Sequence, residues 1–312
     1  MDRRNKALTG ISVSSSFGLE IGPLASPFVR RTDGRILYAD HATTDELRRK
    51  YIGHGWDTNS IVEVDIVLSD QPLRDHLKDI RVDYIVASHV IEHVPDLVSW
   101  LIELGEVLRP GGVVSLVIPD KRYCFDAKRP VSTTGELVEA FLIKRRTPMV
   151  RQVFDFWACY CQVDCADMWN RSINVEDLPL SGTLLNALEH AEAVSKSTAY
   201  ADVHCWVFTP TSFMNCMADL TELSMLSFKP KHAVDTAINE LEFFVMLEPM
   251  CSEDDPSIVA NSFRCLAQEF RLHRATSSRA ESQLVRLAKP LYRTLKRFVP
   301  TLATSIRRIL KR

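Results

Sequence analysis

The stretch that most constrains the fold runs from Val82 to Asp120, VDYIVASHVIEHVPDLVSWLIELGEVLRPGGVVSLVIPD. It begins with β-branched and aromatic residues, Val82, Tyr84, Ile85 and Val86, a composition suited to a strand buried on both faces. A polar cluster follows: Ser88, His89, Glu92 and His93. Pro95-Asp96 then opens a predicted helix whose apolar residues, Leu97, Trp100, Leu101, Leu104, Val107 and Leu108, recur at helical spacing. Arg109-Pro110-Gly111-Gly112 stops that helix, and Val113 to Ile118 reads as a second strand. Strand, helix and strand in this order predict two parallel strands joined by a right-handed crossover. Ligands of such sheets bind outside the carboxyl ends of the strands, where the Ser88–His93 cluster falls.

Upstream, Phe17 to Pro23 (FGLEIGP) reads as a strand running into a turn, with the acid Glu20 just before Gly22. Arg35 to Asp40 is a second strand ending in an acid. Asp40 follows Glu20 by about the 20 residues at which nucleotide-binding folds place a ribose-binding carboxylate. Ser60 to Leu68 is a third predicted strand and carries Asp65 and Ile66.

These residues carry a resemblance. DYIVASHVIEHVPD followed by LIELGEVLRPGG is similar to the fourth-strand segment of class I S-adenosylmethionine (SAM)-dependent methyltransferases. That likeness extends over residues 17–120. It implies an α/β fold: a doubly wound, seven-stranded, mostly parallel sheet whose last strand is antiparallel. It also implies SAM as cofactor, with Glu20, Gly22, Pro23, Asp40, Asp65, Ile66, Ser88 and His89 around it. In the family the first loop carries acid-x-Gly-x-Gly-x-Gly, the acid orienting the loop. Here only Glu20 and Gly22 match, and Pro23, Leu24, Ala25 and Ser26 replace the rest. A dinucleotide enzyme is disfavoured because no G-x-G-x-x-G follows the first strand.

The family's closing elements come late. Pro210 to Leu223 is the expected helix, Met225 to Val234 a strand, and Leu241 to Leu247 the last strand. The chain thus divides into a SAM-binding half (1–120), a helical insertion (121–205), the rest of the sheet (206–250) and a linker with a basic tail (251–312). An insertion at the carboxyl edge of the sheet is expected to cap the substrate. Arg122, Tyr123 and Trp206, at its two ends, are candidate acceptor-lining residues. Methyl transfer to a hydroxyl needs a group that takes a proton, and His93 is the candidate base, with His204 from the cap as its rival. PDKRYCFD, together with EIGP and SHVIEHV, is similar to bacterial methyltransferases that accompany glycosyltransferases in surface-polysaccharide synthesis. The expected activity is O-methylation of a small-molecule or sugar/glycan acceptor, the sugar or surface glycan being what that likeness implies. The competing reading is a methyltransferase-fold scaffold with a degraded cofactor loop, docking partners or membrane through its tail.

At 46% hydrophobic and 25% charged residues, the chain is a globular protein able to bury a sizeable core. No apolar run is long enough to span a bilayer. The N-terminal MDRRNKALTG lacks the apolar region of a secretory signal, and the eight cysteines form no small-scaffold pattern, so a cytoplasmic setting is expected. Cys159, Cys161 and Cys165 do not show the paired spacing of zinc sites, and no metal is assigned. The net charge of −2 hides an asymmetry, because residues 271–312 hold twelve Lys/Arg against the single acid Glu281. Apolar and basic residues interleave in that tail, so residues 279–312 are expected to meet a membrane surface, at the inner face of the membrane, or an acidic partner. Nucleic acid is not the expected partner, since no recognition module accompanies the tail.

Overall fold

The computed structural model describes residues 1–273 apart from 54, 56, 69–70, 170–172 and 198–199. The basic tail at 279–312 lies outside the described residues.

The sheet is seven-stranded, in the order β3-β2-β1-β4-β5-β7-β6. Its strands are β1 (Phe17–Ile21), β2 (Arg35–Asp40), β3 (Ile66–Val67), β4 (Val82–Ser88), β5 (Leu108–Pro119), β6 (Phe228–Val234) and β7 (Glu242–Pro249). β1 pairs in parallel with β2 and β4, and β4 with β5, whereas β7 runs antiparallel to both β5 and β6.

Side chains alternate across a strand, and that alternation sorts the core into two layers. Leu19, Ile85, Leu116 and Val245 face one cluster, and Tyr84, Val86, Val117 and Phe244 face the other. The first layer is covered by α4 (Leu97–Glu106), α9 (Pro210–Glu222) and a helix over residues 256–273 that contributes Phe263 and Phe270. The second layer is covered by a short N-terminal helix, α1 (Arg3–Ala7), and by Phe28 and Val29 of the β1–β2 connection, which contains no helix. Ser115 Oγ donates to the Ala7 carbonyl at 2.6 Å, so α1 is locked onto β5.

Two elements depart from the sequence reading. The third strand shrinks to two residues, because Asp65 spends its side chain on the Tyr38 N–H at 2.8 Å that a longer ladder would use. The LRPGG segment is part of β5 rather than a plain turn: Leu108 pairs with Val82, and an irregularity before Tyr84 restores the register. α4 does begin where Pro95-Asp96 suggested, with Asp96 Oδ1 accepting from Ser99 N at 3.0 Å.

The inserted segment lies between β5 and α9 and divides its packing between the main core and a cluster of its own. α5 (Thr134–Leu142) sends Leu137 and Ala140 into the first core layer. α6 (Val150–Cys159) and α8 (Leu184–Ser195), with α7 (Cys165–Met168) between them in the chain, build a separate cluster around Val153, Phe156 and Val203. Among the described residues no helix is long and apolar enough to cross a membrane.

At Gly18 a Cβ would fall 2.2 Å from the ring of Tyr84, itself 1% exposed. Gly18→Ala is therefore expected to destabilise the fold by about 1–3 kcal/mol through overpacking, read as a lowered midpoint in urea unfolding. An unchanged midpoint would mean that the Tyr84 ring can move aside.

Candidate active site

The strand order reverses its direction of growth between β1 and β4, and ligands of open α/β sheets bind at such a switch point. The loops that leave these two strands touch. Gly22 has φ +68, and a Cβ there would lie 2.8 Å from Val90 Cγ2, so both conformation and space ask for glycine. Glu20 holds the far end of the same loop, accepting from Phe28 N at 2.7 Å and Val29 N at 3.1 Å. Burial pushes the Glu20 carboxyl up to about 7, against the pull of those two N–H groups and of Arg3 and Arg4. Pro23 is buried in the loop.

Asp40 closes β2 and is 3% exposed. Its Oδ1 accepts from His41 N at 2.7 Å, while Oδ2 is buried without a hydrogen-bond partner. A buried carboxylate oxygen without a donor is costly, and the vicinal hydroxyls of a ribose are donors of the kind it lacks. This atom is the observation that fits a nucleoside cofactor to the edge. Ser88 Oγ accepts from Arg3 Nη2 at 2.8 Å. His89 takes a left-handed backbone, φ 53, and its Nε2 lies 2.8 Å from Glu242 Oε2. Ile66 is half-buried in β3 against the first core layer. Asp65 has both oxygens engaged, by Arg31 at 2.7 and 2.8 Å and by Tyr38 N.

Beyond β4 the chain makes a 3₁₀ turn, Ile91–His93, that meets the end of the insertion. The Glu92 carbonyl accepts from Cys205 N at 2.6 Å and Trp206 N at 3.2 Å, and Tyr200 donates to the His93 carbonyl. Around that seam the side chains converge. His204 Nδ1 is 2.5 Å from Asp126 Oδ2, whose other oxygen accepts from Arg129 at 2.8 Å. Burial raises the Asp126 carboxyl, but His204 and Arg129 outweigh it and hold it below the usual range. The His93 ring stands edge-on to His204, with centroids 4.7 Å apart. His93 Nδ1 lies 3.0 Å from Asp202 Oδ1, close enough for an ion pair but short of hydrogen-bond geometry. Burial works to lower His93, and Asp202 and Glu92 overcome it and raise it above the ordinary histidine value.

The acceptor candidates scatter. Arg122 pairs with Asp120 at 2.8 and 2.9 Å and borders a cavity of about 220 Å³ beside Thr209, Asp235 and Phe270. Tyr123 stacks on Trp169 at 4.0 Å. Trp206 is 1% exposed in the main core, and its indole donates to the Val94 carbonyl at 2.6 Å. Trp206 therefore packs the seam from below instead of facing an acceptor; its apolar bulk is satisfied by core burial. Sequence reasoning did not single out Arg3, Asp126 or Asp202, because nothing local marks an acid whose partner is a distant histidine. Cys159, Cys161 and Cys165 do not join His204 or Cys205 in a cluster of metal donors among the described residues.

A sheet of order 3-2-1-4-5-7-6 with β7 reversed, flanked by helices, defines a Rossmann-like methyltransferase fold. The chain belongs to the family described as "Methyltransferase domain", whose pattern it matches over residues 35–220. Among solved structures it is similar to a putative zinc-dependent alcohol dehydrogenase of Rhodobacter sphaeroides, at 14% identity over 80% of this chain and 91% of that one, TM-score 0.44. A SAM-dependent methyltransferase of Mesorhizobium loti aligns at 13% identity over 76% and 92%, TM-score 0.39. DhpI in complex with SAH aligns at 15% over 75% and 76%, TM-score 0.34. No curated protein sequence matches significantly. S-adenosyl-L-methionine is the cofactor, and when bound it supplies an electrophilic methyl group.

Glu20 yields a pH prediction. Its carboxyl rises from 4.5 to about 7 on folding, so the stability it contributes is complete below about pH 4.5 and is lost as pH climbs to about 7. Across that window the wild type should lose ~3 kcal/mol more than Glu20→Gln, measured by urea unfolding at each pH. Parallel curves for the two proteins would contradict this assignment.

Proposed function

We propose that the chain transfers the methyl group of SAM to a hydroxyl oxygen of a small-molecule or sugar/glycan acceptor at the seam between the sheet edge and the insertion. Asp40 Oδ2 takes the ribose hydroxyls, the Gly22–Pro23 backbone approaches the amino-acid end, Ile66 flanks the base, and Ser88 and His89 border the sulfonium side. Asp65, with both oxygens engaged, supports the base site through Tyr38.

The observation that carries the hydroxyl reading is the buried Asp126–His204 pair beside Glu92 and His93. A neutral hydroxyl is a poor nucleophile and must lose its proton, whereas a free amine or thiolate needs no such apparatus. Asp126 accepts the hydrogen of His204 Nδ1, which leaves Nε2 basic and turned toward Glu92, 3.9 Å from its Oε1. His93 flanks the same point from the turn after β4. The cap residues Tyr200 to Trp206 close over this seam, which helps to exclude water from a displacement at carbon. The likeness of PDKRYCFD to methyltransferases that accompany glycosyltransferases supports nucleotide sugars and oligosaccharides as the first acceptors to try.

The test is SAH release from SAM over that panel, with SAH binding followed by calorimetry. Asp40→Ala should weaken SAH by about 10–150-fold, the worth of a hydrogen bond to a charged group. His204→Ala should keep SAH binding and lose about 10²–10⁴ in turnover. Undiminished SAH binding by Asp40→Ala would remove the cofactor site from this edge. Undiminished turnover by His204→Ala would remove the seam from the chemistry.

A further inference from the structure

Glu92 is the least satisfied charged side chain near the seam. It is 1% exposed, and neither carboxylate oxygen has a hydrogen-bond partner. Asp126, equally buried, has Arg129 on one oxygen and His204 on the other. Leaving both oxygens of a buried carboxylate without a hydrogen bond is costly, so Glu92 needs a cationic partner that its protein neighbours do not supply in bonded geometry. Three imidazoles surround it: His89 Nδ1 at 3.6 Å and His204 Nε2 at 3.9 Å from Oε1, with His93 completing the ring. One donor atom each from Glu92, His93 and His204 lies within 4.8 Å of the others.

The geometry points to a divalent metal site formed by Glu92, His93 and His204. Two imidazoles and one carboxylate suit a borderline first-row cation such as Zn²⁺, Mn²⁺, Fe²⁺ or Co²⁺. The surrounding carboxylates have the arrangement that metal-binding histidines require. Asp126 holds Nδ1 of His204, and Asp202 stands 3.0 Å from Nδ1 of His93. Such outer carboxylates fix the tautomer and raise the basicity of the ligating ring. Glu92 Oε1 and His204 Nε2 stand 3.9 Å apart, slightly wider than two ligands about 2.0–2.2 Å from one ion in tetrahedral geometry, so loading draws the turn after β4 and the end of the insertion slightly together. Three protein ligands leave positions open for water or an acceptor oxygen, as catalytic rather than structural sites do. This inference rests on the proposed hydroxyl chemistry only for the purpose of the ion: a ligated His204 Nε2 cannot also take a proton, so in the loaded protein the ion would replace it by acidifying the acceptor hydroxyl, whose proton would pass to solvent; the binding itself stands apart from it.

The experiment uses the full chain without a polyhistidine tag, stripped with chelator and titrated calorimetrically with Zn²⁺, Mn²⁺ and Co²⁺. About one equivalent should bind per chain, and the Co²⁺ form should show d–d absorption without a thiolate charge-transfer band. Glu92→Gln, which keeps the shape and removes the charge, and His204→Ala should each weaken binding by about 100-fold or more, and Asp126→Asn by about 10–100-fold. An SAH titration of every variant reports whether the cofactor site survives. The proposal is overturned if the wild type shows no saturable binding, if folded Glu92→Gln binds as tightly as wild type, or if thiolate absorption places the ion on the cysteines. Should the variants fail to fold, the wild-type stoichiometry and Co²⁺ spectrum decide alone. Stoichiometric metal with no SAH release from any acceptor would uphold the metal site and count against the hydroxyl reading.

Discussion

The turn Ile91–His93 holds the sheet edge and the end of the insertion together. Its Glu92 carbonyl takes two backbone N–H groups from Cys205 and Trp206, while the side chain of the same residue faces His89 and His204. Backbone and side chain thus do separate work: one closes the seam, the other charges it. Trp206 lies directly below with its indole bonded to Val94, so shifting the seam would disturb the main core.

Electrostatics around the seam follow from burial. Asp126 with Arg129 is a buried ion pair that also bonds the His204 carbonyl through the guanidinium, so its desolvation is offset by full bonding. On the outer side Lys50 and His93 share Asp202, and Lys50 lies near His41, which in turn pairs with Asp40. A chain of charged and polar contacts therefore runs from Asp40 to the end of the insertion.

Much of the fold was legible in the chain. β1, β2, β4 and the reversed β7 are runs of apolar residues buried on both faces, and that composition is local. Pro95-Asp96 marked α4 because a cap and the residues after it act within one turn. The candidate site was legible where it follows a strand end: Gly22, Asp40 and the Ser88–His93 cluster all lie on one edge. It was less legible where partners are remote. Asp65 looked like a ligand residue, yet Arg31 and Tyr38 engage it; Arg122 looked like an acceptor contact, yet Asp120 takes it. The two-residue β3 and the helix-free connection after β1 likewise depend on side-chain competition for backbone donors and on the cover supplied by α1.

The sequence by itself determined the parallel ladder, the helices that cross it and the sheet edge that gathers the candidate residues, because periodicity, burial of strands and turn chemistry act over a few residues. Only the tertiary structure decided which charges meet. Glu92, Asp126, Asp202 and His204 come from a sheet-edge turn and from distant parts of the insertion, and the energy that selects their pairing arises only once water has been removed from between them.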